Sequence, residues 1–256
     1  MAQLESRPAR ISVITCCWNS EPYIAQCIAS VQAQQGVNVE HVFVDGGSTD
    51  GTLQRVQALG GITTGSVRWV TDVRGGIANA MNVGVQLSTG EVIAHLHGDD
   101  YYLRDDVLAE VAGHFERSGC DWLFGRMVSD VEGKLVPEGF VCPPYSLPAL
   151  RRGNFVPHPA TFVKRSVFQR FGGFRADYRY AMDYEFWLRI APSTSVVQLD
   201  RPLAAFRRHA GSASTANAQR ALREDFRARC AHSSRVHLPM DLARFAVRSY
   251  RIARIT

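Results

Sequence analysis

Four short apolar runs, at 11–16, 39–44, 67–70 and 91–94, constrain the fold of this chain more than any other feature. Each is rich in β-branched or apolar residues, as buried strands are. Each runs into a turn rich in Asp, Asn or Gly, and helical spacing of apolar residues follows. Ile24, Cys27, Ile28 and Val31 follow the first, Leu53, Val56 and Leu59 the second, and Ile77, Met81 and Val85 the third. Val107, Leu108, Val111 and Phe115 follow the fourth. Such alternation predicts a parallel α/β sheet built from right-handed crossovers. Ligands of open α/β sheets sit beyond the carboxyl ends of the strands, where Asp45, Asp72 and Asp99 fall.

Beyond residue 100 the pattern shortens. It predicts antiparallel strands with a hairpin turn at Glu132-Gly133, a proline-rich loop over 137–153 and a strand over 159–163. A short helix is expected from Ser166, another over 183–190, strands over 196–199 and 203–206, and an arginine-rich helix from about Gln219. The reading divides the chain into a body over 1–212 and a basic helical extension over 213–256.

The turn His97-Gly98-Asp99-Asp100 is the richest in chemistry. Magnesium or manganese takes one or two carboxylates and completes its shell with substrate phosphates. The same residues also suit an ordinary loop that caps the next helix.

Charge is uneven. Residues 201–256 carry 12 arginines against three acids, a local charge of +9, which leaves −4 on the rest of a chain of net charge +5. The tail therefore suggests an anionic partner, and without an aromatic stacking pattern a membrane surface suits it better than nucleic acid. The alternative is a helix docked on the body. No apolar run approaches the ~20 residues of a membrane span, and residues 1–10 lack the apolar core of a secretion signal. A cytoplasmic location is expected, peripheral on the inner membrane face. Six cysteines without CxxC spacing indicate neither zinc nor a disulfide framework.

Five segments in register resemble the family-2 glycosyltransferases of the GT-A fold. They are residues 11–19, Val44-Asp45-Gly46-Gly47-Ser48-Thr49-Asp50-Gly51-Thr52, Gly76-Ile77-Ala78-Asn79-Ala80-Met81-Asn82, Leu96-His97-Gly98-Asp99-Asp100 and Met182-Asp183-Tyr184-Glu185-Phe186-Trp187. The resemblance covers roughly the first 210 residues. It implies a Rossmann-like, mainly parallel sheet flanked by helices, a small antiparallel sheet on the acceptor side and a helical tail.

By the same resemblance, Thr15, Trp18 and Glu21 line the nucleotide pocket, Asp45 accepts from the uracil N3–H, and Asp72 approaches base or ribose. Asp50 caps a helix. Asp99 binds Mn2+ or Mg2+, with His97 as a second ligand in a position where relatives carry aspartate. Asp183 is the general base, although its place at a helix start also suits a plain N-cap. Glu185 supports it, and His158 stands near the acceptor unless it is merely structural. Arg208 and His209, in Arg207-Arg208-His209, belong to a segment that closes over the diphosphate, or else to a solvated basic stretch. Arg74, Asn79 and His97 depart from the common pattern; Arg74 would suit a phosphate or carboxylate.

The resemblance implies an inverting transfer of one sugar from a nucleotide-diphosphate sugar, a UDP-sugar foremost, to a saccharide or lipid-linked saccharide in cell-surface polysaccharide synthesis. No QxxRW stretch of the processive synthases is present. The rival readings are a catalytically inactive nucleotide-sugar-binding relative and a nucleotidyltransferase; the latter needs a glycine-rich basic loop where this chain has Cys16-Cys17-Trp18-Asn19.

Overall fold

Strand parity sorts the core into two layers. The computed structural model describes residues 10–60, 66–138, 142–209, 217–232 and 238–253. In β1 (Arg10–Cys17), Ile11 and Val13 pack with Cys27 and Val31 of α1 (Glu21–Gln32) and with Val107, Leu108 and Val111 of α4 (Val107–Ser118). Ile14 and Cys16 face the other way, onto Met81 of α3 (Ile77–Leu87). Successive side chains of a strand point to opposite faces, so a strand covered on both sides reads as a continuous apolar run. The α3 helix lies so close to β1 that a Cβ on Gly84 would meet Ile14 Cγ2 at 2.3 Å.

Next to β1 lie β2 (Asn38–Asp45), followed in the chain by α2 (Thr52–Gly60), and β4 (Val92–His95), while β3 (Ser66–Val70) pairs with the far side of β2, all parallel. The sheet then changes direction. β8 (Thr161–Lys164) runs antiparallel to β4 and to β6 (Trp122–Val131). β9 (Val196–Arg208) runs parallel to β6, and β5 (Tyr101–Tyr102) closes the order β3-β2-β1-β4-β8-β6-β9-β5. β7 (Lys134–Pro137) forms the expected hairpin with β6 through Glu132-Gly133. The mainly parallel sheet with a smaller antiparallel part is thus as the sequence implied.

Three local expectations change. The two strands expected over 196–199 and 203–206 are one strand, β9, whose register against β6 shifts around Gly125 and Arg126. There Leu203 occupies the space a Cβ on Gly125 would need, so the irregularity is absorbed without ending the strand. The proline-rich loop holds a helix, α5 (Leu147–Arg152), whose N-cap Ser146 accepts from Ala149 N–H at 3.2 Å and whose Pro148 sits in the first turn. Pro159 and Ala160 belong to a 3-10 turn, so β8 begins at Thr161.

Helices α6 (Arg165–Phe171) and α7 (Met182–Ile190) pack on the α3 side, where Trp187 stacks on Trp122 at 5.5 Å and 5°. Two C-terminal helices follow, α8 (Ala218–His232) and α9 (Leu238–Ala253). Phe245 of α9 meets Phe226 of α8 at 4.8 Å, while Leu242, Val247 and Tyr250 stay exposed. The boundary expected at 212/213 lies outside the described residues. No helix among the described residues is long and apolar enough to cross a membrane.

Candidate functional site

The carboxyl ends of β1, β2 and β4 converge, because these strands are parallel neighbours. Gly46 N–H donates to the Cys17 carbonyl at 2.9 Å and Gly98 N–H to that of Cys16 at 3.2 Å, which ties their turns together. A cavity of about 430 Å³ opens over the ends of β1 and β2, walled by Trp18, Gly46, Arg74, Gly76, Arg179 and Tyr180 among others.

At the rim, Asp72 holds Arg74 Nε at 2.5 Å, and the pair folds over Gly47. A Cβ on Gly47 would stand 2.5 Å from Arg74 Nη2, and its φ of 86° also favours glycine. Arg74 thus answers Asp72, and Asn79 Nδ2 donates to the Arg74 carbonyl at 2.6 Å, which sets the loop. Asn82 grips Phe174 twice, at 2.8 Å to its carbonyl and 2.8 Å from its N–H. Trp18, 65% exposed, presents an aromatic face to the cleft.

Three other residues expected in this pocket have their side chains engaged in contacts of their own. Thr15 is fully buried and bonds His41 Nε2 at 2.9 Å, because its strand parity directs it to the α1 face. Asp45 is 1% exposed and its carboxylate closes its own turn, accepting from Gly47 N–H at 2.8 Å, Ser48 N–H at 3.0 Å and the Ser48 hydroxyl. Glu21 lies over Gly51 and pairs with Arg55 at 3.6 Å. Asp50 takes its expected capping role, accepting from Thr52 N–H at 3.0 Å.

Asp99 lies in the turn after β4, about a quarter exposed, with His209 Nε2 at 3.1 Å from Oδ2. Asp100 is buried and accepts from Arg207 N–H at 3.1 Å; burial, then the adjacent Asp99 charge, holds its carboxyl well above the usual range. Alternation along β9 and the residue after it decides the rest. Arg207 and His209 face Asp99 and Tyr23, whereas Arg208 is turned to Ser129 at 2.6 Å and Glu138 at 2.9 Å. His209 therefore sits on Asp99, and Arg208 is directed away from it.

His97 packs against another histidine. Its ring stacks on His158 at 5.1 Å and its Nδ1 is enclosed without a hydrogen-bond partner. His158 in turn touches His95 at 5.6 Å and Trp187 at 6.4 Å. Burial lowers both His97 and His158 to about 4, so the stack is neutral near pH 7. Among the described residues no three His, Cys, Asp or Glu side chains are grouped to hold a metal. The Asp99 carboxylate, about a quarter exposed, is the oxygen type a hard cation takes beside phosphate and water.

Asp183 stands at the start of α7, partly exposed. Burial raises it to about 6, against bonds from Tyr184 N–H at 2.6 Å and Asn154 Nδ2 at 3.4 Å that favour its charged form. A carboxylate poised there accepts a proton near neutral pH. Glu185, two residues on, is turned into the interior. Burial would raise it, but bonds from His232 at 3.1 Å and Arg189 at 2.8 Å hold it below its ordinary value. The helix turns it 200° from Asp183 at ~100° per residue.

Sequence reasoning missed Glu224. This α8 carboxylate accepts from the N–H groups of Arg179 at 2.8 Å, Tyr180 at 2.6 Å and Ala181 at 3.0 Å. It satisfies donors at the entry of α7 and so holds both the cleft wall and the approach to Asp183. Only its place in the first turns of an acid-poor, arginine-rich helix marked it in the sequence.

Asp225, its neighbour, is raised to about 7, by burial first and then by the Asp183 charge. The folded protein therefore keeps a proton that the unfolded chain gives up near pH 4. The stability from that proton is present below pH 4 and lost as pH rises to about 7. Asp225→Asn should be more stable than the parent at pH 8, on the order of 2 kcal/mol, and gain nothing at pH 4. Urea melts at the two pH values measure this.

The fold and the strand-end cleft define a GT-A-type transferase architecture. The glycosyl transferase family 2 model matches residues 12–138. An uncharacterized glycosyltransferase of Mycobacterium tuberculosis is 32% identical over 184 residues, 71% of this chain and 68% of the relative. TarS 1-349 of S. aureus, solved in complex with UDP-GlcNAc, has a TM-score of 0.72 at 22% identity, covering 93% of this chain and 71% of that one. The mannosyltransferase PcManGT of Pyrobaculum calidifontis, solved with GDP-Man and Mn2+, has a TM-score of 0.71 at 20% identity, covering 96% and 70%. The chain belongs to glycosyltransferase family 2.

Proposed function

We propose that this glycosyltransferase moves one sugar, a hexose-type residue, from a UDP-sugar to a saccharide or lipid-linked saccharide with inversion, in cell-surface polysaccharide or glycolipid synthesis. The carrying observation is Asp183, a partly exposed carboxylate that burial raises to about 6, three residues beyond Tyr180 of the cleft wall. The acceptor oxygen attacks the anomeric carbon while the bond from that carbon to the diphosphate oxygen breaks. The hydroxyl proton passes to an Asp183 carboxylate oxygen, and the nucleoside diphosphate leaves with the bonding electrons.

Trp18 supplies a flat face for the base, and Arg74 with Arg179 brings positive charge to the cleft wall. Asp99 would hold Mn2+ or Mg2+, which supplies positive charge to the diphosphate when bound. His209, on Asp99, positions that carboxylate. The TarS complex with UDP-GlcNAc and the PcManGT complex with GDP-Man and Mn2+ support a nucleotide-sugar donor and a divalent ion. The arginine-rich tail, with Leu242, Val247 and Tyr250 outward on α9, would rest on an anionic membrane surface on the cytoplasmic side.

A panel of nucleotide sugars, scored for thermal stabilisation with and without Mn2+, tests the reading. A UDP-sugar should raise the melting temperature, by more with Mn2+. Stabilisation by none would sink it; stabilisation without any turnover would favour the inactive relative.

A further inference from the structure

Arg207, near the end of β9, has a side chain 14% exposed, and each nitrogen of its guanidinium meets a different part of the fold. Nε donates to the Asp99 carbonyl at 3.1 Å, Nη1 lies 3.1 Å from Asp130 Oδ2 of β6, and Nη2 donates to Gln26 Oε1 of α1. The Tyr23 ring of α1 and the Tyr101 ring of β5 have their centres 4.9 Å and 5.4 Å from the guanidinium carbon, which confines the fork between them. The main-chain N–H of Arg207 donates to Asp100 Oδ1 at 3.1 Å. One residue thus holds the Asp99-Asp100 turn through both its side chain and its main chain.

Asp130 is 3% exposed and is answered in turn, accepting from the Tyr101 hydroxyl at 2.9 Å and from Gly133 N–H of the β6–β7 hairpin at 2.8 Å. Burying an ion pair costs desolvation that its own attraction seldom exceeds, so well-packed apolar residues would join these elements as firmly. Direction is what they would not supply. A planar fork with three separate partners fixes where the Asp99 carbonyl points, and with it the direction in which the carboxylate leaves the chain. His209, two residues on and so on the same side as Arg207, packs on Tyr23 at 4.7 Å and meets Asp99 Oδ2 at 3.1 Å. The end of β9 therefore grips Asp99 twice, at its carbonyl through Arg207 and at its carboxylate through His209.

We propose that Arg207 is a positioning residue, which holds the Asp99 carboxylate in the orientation that a divalent cation on a diphosphate needs and touches neither of them. This rests on the reading of Asp99 as the metal-binding carboxylate of a glycosyltransferase. Lysine would keep the charge between the two tyrosine rings, but its single nitrogen cannot serve Asp99, Gln26 and Asp130 together.

The test is calorimetric titration of UDP into the full chain with and without Mn2+. In the wild type Mn2+ should tighten UDP binding. In Arg207→Lys that gain should shrink about tenfold, the contribution of one charge-assisted hydrogen bond, while UDP binding without Mn2+ stays as in the wild type. Asp130→Asn, which keeps the shape but removes the charge at Nη1, should lose about threefold of the gain. Arg201→Lys, the same exchange at an exposed side chain of β9, should lose none of it. Melting curves show that each variant is folded, and Asp130→Asn decides the matter if Arg207→Lys is not. A Mn2+ gain kept whole in Arg207→Lys, or in Asp130→Asn where it stands in, would overturn the proposal. Weaker binding of UDP to Arg207→Lys without Mn2+ would overturn it too, since that marks a direct contact with the diphosphate. Absence of any Mn2+ gain in the wild type would instead strike the metal reading of Asp99, and the proposal with it.

Discussion

Asp183→Asn is expected to lower turnover of the best UDP-sugar about 10³-fold, the usual contribution of a positioned base. The amide keeps the shape and the bond from Tyr184 N–H, so α7 should remain intact. The wild-type rate should rise about tenfold per pH unit up to about 6 and level off above it, because burial places the Asp183 titration there. A protonated carboxyl cannot take the acceptor proton, which fixes the sign. The variant should lose that limb. Release of UDP followed from pH 5 to 8 measures both; an unchanged profile would remove Asp183 from the proton transfer.

Glu224→Ala carries the second largest expected effect. Its carboxylate gathers the N–H groups of Arg179, Tyr180 and Ala181 at the entry of α7. Removing it leaves charge-assisted bonds unmade, a loss of about 3 kcal/mol in stability. The Asp183 carboxylate would then sit on a loosened helix entry, and a displacement of about 1 Å costs about 10²-fold in rate. KM for the donor should rise as well, since Arg179 and Tyr180 wall the cleft. Glu224→Gln keeps one acceptor oxygen and should recover part of both losses. Urea melts and steady-state kinetics check the pair; a destabilised Ala variant with wild-type kcat per folded molecule would limit Glu224 to the fold.

The parallel half of the sheet was legible because strand and helix periods differ and the first four turns repeat the same logic. Positions set by the main chain, such as Asp50 at a helix start and Asp183 at the entry of α7, were legible too. Side-chain direction was not. Thr15 and Arg208 were expected at the cleft because their neighbours are there, yet each lies one residue out of phase and points to the opposite face. Asp45 has the right place but spends its oxygens on its own turn. The stacking of His97 on the His158 ring was not legible, because His158 approaches from a different part of the chain. The two α8 acids were hidden for the same reason, since only the packing of α8 on α7 brings Glu224 and Asp225 to the site.

The most direct test of the central claim is a crystal structure of the full chain with UDP and Mn2+. The account predicts the nucleotide in the cleft walled by Trp18, Arg74 and Arg179, its diphosphate and the metal at Asp99, and Asp183 on the acceptor side. A nucleotide bound anywhere else, or an empty cleft at saturating UDP, would contradict it.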